Sequence, residues 1–250
     1  MAYVNNKFCW HGIITTDVDK AKAFYGEVIG WGIQDMVMGD ETATMVTAAD
    51  IPRAHIMTAP MPGVPPHLSS YLRVADVDAG TAAAVANGGQ VVAPPMDIPP
   101  GRFSVVSSPS GGVFCLFHEA DEATAQNPPA GEGAIHWVEL HSTDITADVA
   151  WLKASFGFST SEMSMPQGGT YFLLNDGDTQ IGGAMQGMNP EAPSHWLVWV
   201  NVSDVDACIE RVKNHGGRSF NEPMDMPGVG RMAVVADNAG AVFGVITPEA

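Results

Sequence analysis

The feature that most constrains this chain is an internal repeat that runs through almost all of it. The segment FCWHGIITTDVDKAKAFYGEVIGW (8–31) resembles IHWVELHSTDITADVAWLKASFGF (135–158). Farther along, 67–89 resembles 195–217, and 94–117 resembles 222–246 with one residue inserted. Self-similarity at a fixed period is the sequence signature of a duplicated architecture. The chain therefore consists of two homologous halves.

Each half divides again into two units of similar design. A strand is followed by an Asp-capped amphipathic helix, a glycine stop and several short strands. In the last unit Asp204 is placed to cap a helix and Gly216 to end it. The apolar stripe of that helix is formed by Val205, Cys208, Ile209 and Val212. Predicted strands of the second half are YFLLND (171–176), TQIGGAMQ (179–186), GRMAVVAD (230–237) and GAVFGVIT (240–247). The pattern predicts an α+β chain of four strand–helix–strands (βαβββ) units.

Composition limits the partners of such a protein. The 250 residues carry a net charge of −17, which disfavours nucleic acid and anionic membranes as partners. The N-terminal sequence shows no secretory signal, and three cysteines without CxxC spacing do not suggest disulfides or zinc. We expect a soluble, cytoplasmic monomer or homodimer that takes a small-molecule ligand or substrate.

Several motifs together resemble the vicinal oxygen chelate superfamily, the glyoxalase/bleomycin-resistance/dioxygenase fold. They are TTDVDKAKAFYGEVIGW (15–31), the DVDA helices, and the SPSGGVFCLF and DNAGAVFGVI ends. Tandem members such as the mycobacterial 27–30 kDa antigen group look most similar. The resemblance implies two tandem domains with cupped mixed sheets, over residues 1–118 and 134–250, joined by an acidic, Pro- and Gly-rich linker at 119–133.

The resemblance also implies positions at which metal-binding relatives hold a divalent ion. The side chains at those positions in the two halves are Trp10 and Trp137, Ser69 and Leu197, Cys115 and Gly244, and His55 and Gly183. Indole, leucine and glycine offer no metal-ligating side chain, whereas such a site needs three or four N, O or S ligands. We therefore expect neither a metal nor another cofactor, which argues against glyoxalase or ring-cleaving dioxygenase chemistry.

The strand HWVELHSTD (136–144) places unusual groups on one face. Side chains alternate along a strand, so Trp137, Glu139 and His141 share a face. Glu139 and His141 are the predicted catalytic pair, a general base and its orienting partner. The alternative is a structural Glu–His hydrogen bond inside a closed barrel.

Other residues of the second half are predicted to bind a flat ligand beside this pair. They are Trp137, Tyr171, His195 and Trp199. Trp199 shares a cavity with Glu139 if the third and fourth units pair. It lies in another cup if the first unit pairs with the fourth.

The first half offers a second set of ligand-binding candidates, Trp10, His67 and Tyr71. His11 lies on the opposite face of its strand and is interpreted as a core or edge histidine. Arg102 and Arg231 recur at matching places in the two halves. They could anchor a ligand carboxylate, or form ion pairs with Asp97 and Asp225, respectively.

Three functional hypotheses follow from these patterns. The first is a metal-free small-molecule binder, or a lyase, isomerase or hydrolase that uses Glu139 and His141. The second is a metal-dependent glyoxalase-like lyase or extradiol-type dioxygenase. The third is a non-catalytic binding or interaction protein.

Overall fold

The computed structural model describes residues 6–38, 41–122, 129–165 and 168–249. It confirms the α+β class, with two homologous, sheet-dominated halves. No helix in the described ranges is long and apolar enough to cross a membrane. The predicted linker, 119–133, falls partly outside the described residues, at 123–128.

The first half contains two helices and eight strands within the described residues. Their bounds are β1 Lys7–Thr15, α1 Val18–Ile29, β2 Gly32–Met38, β3 Glu41–Ala48, β4 Ile51–Thr58, β5 His67–Arg73, α2 Val77–Ala86, β6 Gln90–Ile98, β7 Gly101–Ser107 and β8 Val113–Glu119.

The second half repeats this order, with one strand split in two. Its bounds are β9 Ile135–Ser142, α3 Ile145–Phe156, β10 Ser159–Ser164, β11 Thr170–Asp176, β12 Thr179–Gln186, β13 His195–Asn201, α4 Val205–Asn214, β14 Arg218–Ser219, β15 Met224–Met226, β16 Gly230–Ala236 and β17 Val242–Pro248.

The two sheets have the same topology. The first runs β2-β3-β4-β1-β5-β8-β7-β6 and the second β10-β11-β12-β9-β13-β17-β16-β14, with β15 paired to β16. In each sheet the strand before a helix pairs in parallel with the last strand of its own unit, as β1 does with β4 and β9 with β12. The third and fourth units thus contribute strands to one sheet. Which units share a cavity stays a prediction.

The helices begin and end where local chemistry dictates. The side chains of Asp17, Asp76, Asp144 and Asp204 each accept a backbone N–H bond at a helix start. Gly30 ends α1 in the left-handed conformation, with φ of 78°. The helix α4 ends at Asn214 with His215 as its cap, and the predicted Gly216 follows directly in the left-handed conformation, with φ of 84°.

The chain forms two compact units, each assembled from segments distant in sequence. One contains Met1–Cys9, Ser70–Asn127 and Trp137–Trp196. In it, Trp151 Nε1 donates to the Ala84 carbonyl over 2.9 Å, which joins α3 to α2. The fully buried Asp148 accepts hydrogen bonds from the hydroxyls of Ser110 and Ser142. These bonds offset the cost of burying its carboxylate.

The other compact unit contains Trp10–Ser69, Pro128–His136 and Leu197–Ala250. Its core packs apolar side chains of α1 and α4 against valines of β13, including Val198 and Val200. The buried hydroxyl of Tyr25 donates to Asp237 over 3.1 Å. Burial, followed by the nearby Asp237 charge, raises the pKa of Tyr25 well above its ordinary value.

Candidate functional site

The predicted pair Glu139 and His141 lies two positions apart on β9 and forms a direct contact. His141 Nε2 lies 2.6 Å from Glu139 Oε1. Because a carboxylate can only accept, we assign the proton of this bond to Nε2. In neutral His141 the other ring nitrogen, Nδ1, is then the unprotonated one. Within the described residues, no hydrogen bond engages Nδ1.

The second oxygen of Glu139 is held from the neighbouring part of the sheet. The hydroxyl of Tyr171, on β11, donates to Glu139 Oε2 over 2.6 Å. Trp137 Nε1 donates to that same hydroxyl oxygen over 2.8 Å. Burial, and then the charge of Glu139, raise the pKa of Tyr171 far above its ordinary range. The tyrosine therefore remains a proton donor to the carboxylate.

A glycine on β12 makes room for this arrangement. Gly183 is the direct partner of Glu139 in the parallel pairing of β9 with β12. A Cβ atom at Gly183 would overlap the Tyr171 hydroxyl and the ring carbon that bears it. Any side chain at this position would push Tyr171 away from Glu139. The glycine is thus part of the site, although it carries no chemistry of its own.

His195, at the start of β13, completes this group of side chains. Its ring stacks on His141 with 5.1 Å between centroids and 20° between planes. Its Nδ1 lies 2.9 Å from the carbonyl oxygen of Pro193, to which it must donate. Burial lowers the pKa of His195, so the neutral ring is favoured. We call Trp137, Glu139, His141, Tyr171 and His195 the Glu139 cluster.

The Glu139 cluster is partly open to solvent. The side chains of His141 and Glu139 are 12% and 11% exposed, respectively. Trp137, Tyr171 and His195 are half-buried. A buried carboxylate is costly unless both oxygens have partners, and here both do. The result is a carboxylate and an imidazole of fixed orientation, each with a small part of its surface exposed.

Trp199 has its contacts elsewhere. It is buried on β13 in the other compact unit, where it is the register partner of Gly244 on β17. A Cβ atom at Gly244 would overlap the Trp199 ring, so only a glycine leaves room for the indole. The proposed ligand-binding role of Trp199 stays a prediction.

In the first half, Trp10 has a different partner from Trp137. Trp10 Nε1 donates to His55 Nδ1 over 2.8 Å, and the two rings are nearly parallel. His55, on β4, is the register partner of Gly12. A Cβ atom at Gly12 would lie 2.9 Å from His55 Nε2. Burial lowers the pKa of His55 to about 4, so the ring is neutral near pH 7.

The contact between Trp10 and His55 was not anticipated from the sequence, where His55 was considered only as a metal-ligand position. The signal that could have revealed it is the exchange of residues between the halves. Gly12 and His55 in the first half stand where Glu139 and Gly183 stand in the second. His11, on the other face of β1, is buried, and that burial lowers its pKa to about 3.

Tyr71 and His67 are spread along β5. Tyr71 is the register partner of Cys115, and burial, followed by Cys115, raises the pKa of its hydroxyl. Burial also raises the pKa of Cys9, whose thiol contacts the Tyr71 carbonyl, to about 12. His67 Nδ1 lies 2.8 Å from the Pro65 carbonyl, as His195 does from Pro193. A role of Tyr71 or His67 in ligand binding stays a prediction.

The two repeated arginines each form ion pairs with two aspartates. Arg102 contacts Asp78 at 2.6 Å and Asp97 at 2.8 Å. Arg231 contacts Asp206 at 2.5 Å and Asp225 at 3.0 Å. The pairs with Asp97 and Asp225 are those considered from the sequence, whereas the aspartates in the first turns of α2 and α4 were missed. With their charges already engaged, these arginines are less suited to anchor a ligand carboxylate, and that role stays a prediction.

The chain does not offer the donor set of the metal site that the fold implies. The expected positions of the second half hold Trp137, Leu197, Gly183 and Gly244, and those of the first half hold Trp10, Ser69, His55 and Cys115. Across residues 6–38, 41–122, 129–165 and 168–249, no three His, Cys, Asp or Glu side chains are grouped so that they could hold a metal ion. First-row metals in proteins take three or four such ligands. The residues present therefore do not fit the ion.

Duplicated βαβββ units, their strand order and their helix caps together define a class of protein. A family model for the Glyoxalase/Bleomycin resistance protein/Dioxygenase superfamily matches residues 7–129 and again 134–245. The chain belongs to this superfamily, as a tandem member.

Particular relatives cover nearly the whole chain. It is 35% identical over 245 residues to the protein named "Putative glyoxylase CFP32" of Mycobacterium tuberculosis. The match covers 96% of this chain and 94% of the relative. The Mn(II)-bound glyoxalase of Novosphingobium aromaticivorans superimposes with a TM-score of 0.66 at 19% identity, over 98% of this chain and 83% of that one. The 2,3-dioxygenase LapB of Pseudomonas sp. KL28 superimposes with a TM-score of 0.68 at 14% identity, over 100% of this chain and 94% of that one. These two structures establish the fold alone.

Proposed function

We propose that the Glu139 cluster binds a small apolar or aromatic molecule and transfers a proton with His141 as the base, in lyase, isomerase or hydrolase chemistry without a metal. The observation that carries the proposal is the bond from His141 Nε2 to Glu139 Oε1, which makes Nδ1 the proton-accepting nitrogen of the neutral imidazole. Within the described residues, no hydrogen bond engages Nδ1.

The chemistry follows the logic of a carboxylate-oriented histidine. A carboxylate that holds one ring nitrogen fixes the tautomer and stabilises the imidazolium that forms when the other nitrogen takes a proton. Glu139 is held in turn by the Tyr171 hydroxyl. The carboxylate therefore cannot turn away from His141 without losing a second hydrogen bond. This fixed orientation of the carboxylate and the ring is expected of a catalytic base and not of an ordinary surface histidine.

The half-buried indole of Trp137 and ring of Tyr171 offer apolar surface beside the base. Flat aromatic walls next to a few polar groups are typical of small-molecule sites. Because the donor set does not fit a metal ion, we assign the proton transfer to the side chains themselves.

The test measures the reactivity of the His141 ring without needing the substrate. Diethyl pyrocarbonate acylates the unprotonated nitrogen of an imidazole, and peptide mass spectrometry assigns the modified residue. We expect His141 to be acylated at pH 7 and Glu139→Gln to slow this by about tenfold, because the neutral amide no longer supports the charge of the ring. Glu210→Gln, which removes an exposed carboxylate paired with Lys213, is the control. A rate unchanged by Glu139→Gln would favour a structural Glu–His bond.

A metal-dependent lyase is the second candidate, because a relative is named a glyoxylase and a structural neighbour is a Mn(II)-bound glyoxalase. Elemental analysis of protein purified without chelators separates the two candidates. We expect less than about a tenth of an equivalent of transition metal per chain. One equivalent would favour the second candidate.

A further inference from the structure

The Glu139 cluster has used all of its side-chain hydrogen-bond donors within the described residues. Trp137 Nε1 donates to Tyr171, and the Tyr171 hydroxyl donates to Glu139. His141 Nε2 donates to Glu139, and His195 Nδ1 donates to the Pro193 carbonyl. Each of these bonds is between 2.6 and 2.9 Å long. None of these donors is left for a ligand.

The nitrogens that remain are acceptors. With its proton on Nε2, neutral His141 presents the lone pair of Nδ1; with its proton on Nδ1, neutral His195 presents the lone pair of Nε2. No hydrogen bond engages either nitrogen in the part of the chain that the structure describes. The two nitrogens belong to rings that stack on each other, with 5.1 Å between their centroids.

Charge points in the same direction as the hydrogen bonds. The group closest to His141 is the Glu139 carboxylate, which repels a ligand anion. The net charge of −17 adds a general repulsion. An anion or an ether oxygen would meet lone pairs at this site and no side-chain donor. A polar group of the ligand that is buried there without a hydrogen-bond partner weakens binding.

We infer that the ligand of the Glu139 cluster is an aromatic molecule that carries hydroxyl or amino donors and no negative charge. The inference rests on the proposal that this cluster is the ligand site, and it adds the polarity of the ligand. An arene with two O–H groups satisfies both ring nitrogens. An arene whose oxygens are methylated, or one that carries a carboxylate, satisfies neither.

The test compares three probes of similar size on the full chain. Resorcinol carries two donors, 1,3-dimethoxybenzene keeps the oxygens without the donors, and benzoate carries a negative charge. Titrations at pH 7.5 are followed by NMR of protein labelled with ¹⁵N in its histidine rings. We expect resorcinol to shift the resonances of His141 and His195 saturably, with the other two probes at least about tenfold weaker.

Two variants locate the effect. His195→Phe keeps a ring for stacking but removes an acceptor, and it should weaken resorcinol by about tenfold. The control is His215→Phe, which replaces a histidine whose Nδ1 also bonds a backbone carbonyl, at the end of α4. It should leave binding unchanged. Equal binding of resorcinol and either other probe, or no response of the two rings to resorcinol, overturns the inference. Selective binding of resorcinol together with unreactive His141 would uphold this inference and reject the proposed base.

Discussion

The two halves of the molecule place different side chains on the same backbone. In the first half Trp10 bonds His55, and Gly12 faces that imidazole. In the second half the matching tryptophan, Trp137, donates to Tyr171, whose hydroxyl donates to the Glu139 carboxylate. Here the glycine is Gly183, on the neighbouring strand β12. The bulky group and the glycine have exchanged strands. Cross-strand pairs must fit each other in volume, so a change on one strand needs its complement on the neighbour.

This exchange explains why acid–base groups occur in only one copy of the strand. Where β4 carries an imidazole, β1 has room only for glycine at position 12. Where β12 carries a glycine, β9 accommodates Glu139, and the Tyr171 hydroxyl occupies the space next to it. The position of a glycine therefore decides which half can hold a carboxylate.

The largest expected effect comes from a feature that only the first half has. Arg73 and Glu119 form a buried ion pair, with Nε 2.9 Å from Oε1 and 3.0 Å from Oε2. The matching residues of the second half are Asn201 and Pro248. Glu119→Ala leaves Arg73 buried without its carboxylate, so we expect the free energy of unfolding to fall by about 3–5 kcal/mol. Urea unfolding measures this loss. A loss below about 1 kcal/mol would show that the Arg73–Glu119 pair does not distinguish the stability of the first half.

Gly183→Ala should have the next largest effect, because it puts a Cβ atom where the Tyr171 hydroxyl lies. We expect a loss of about 1–3 kcal/mol in unfolding free energy and a shift of the Trp137 indole N–H signal in NMR. Gly187→Ala is the matched control, since its nearest neighbour is 3.4 Å away, close to ordinary contact. If the two substitutions behave alike, Gly183 does not position Tyr171.

The acid sensitivity of the fold should also differ between the halves. His11 has a folded pKa of about 3 against an ordinary 6.5, and its counterpart Val138 cannot titrate. As the pH falls below about 6.5 the unfolded chain binds a proton that the folded chain refuses, so stability drops until the pH approaches about 3. We expect His11→Val to remove roughly 1–2 kcal/mol of the stability lost between pH 7.5 and 5. If the unfolding free energies of the unsubstituted protein and of His11→Val depend on pH in the same way, His11 is not the source of this acid sensitivity.

The smallest effects should come from what the halves share. Arg102 and Arg231 form exposed ion pairs of the same design. We expect Arg102→Gln and Arg231→Gln each to cost less than about 1 kcal/mol, and the loss to shrink in high salt. The same two proteins can be titrated with resorcinol. A large loss of affinity would revive their candidate role in ligand binding.

Local patterns were sufficient to predict the architecture and part of the site. The duplication, the helix-capping aspartates and the alternation of Trp137, Glu139 and His141 are all visible within short segments. The reach of Tyr171 to Glu139 and the stacking of His195 on His141 depend on strand register and side-chain rotamers. Spacing along the sequence does not encode them.

The second aspartate partners of Arg102 and Arg231 were missed for a related reason. An exposed arginine has a long side chain with several carboxylates in reach, and spacing along the sequence does not choose among them. Segments far apart in sequence also combine into each compact unit, which no local pattern reveals.

The central claim is that an imidazole held by a carboxylate, rather than a metal ion, is the reactive group of the second-half site. Its most direct test is the ¹⁵N spectrum of His141 at pH 7.5, recorded before and after one equivalent of Mn(II) is added to chelator-free protein. We predict a ring proton on Nε2, held by Glu139, and no selective broadening of the His141 signals by the paramagnetic ion. A His141 signal that lacks this proton, or that the first equivalent of Mn(II) broadens away, would contradict the claim.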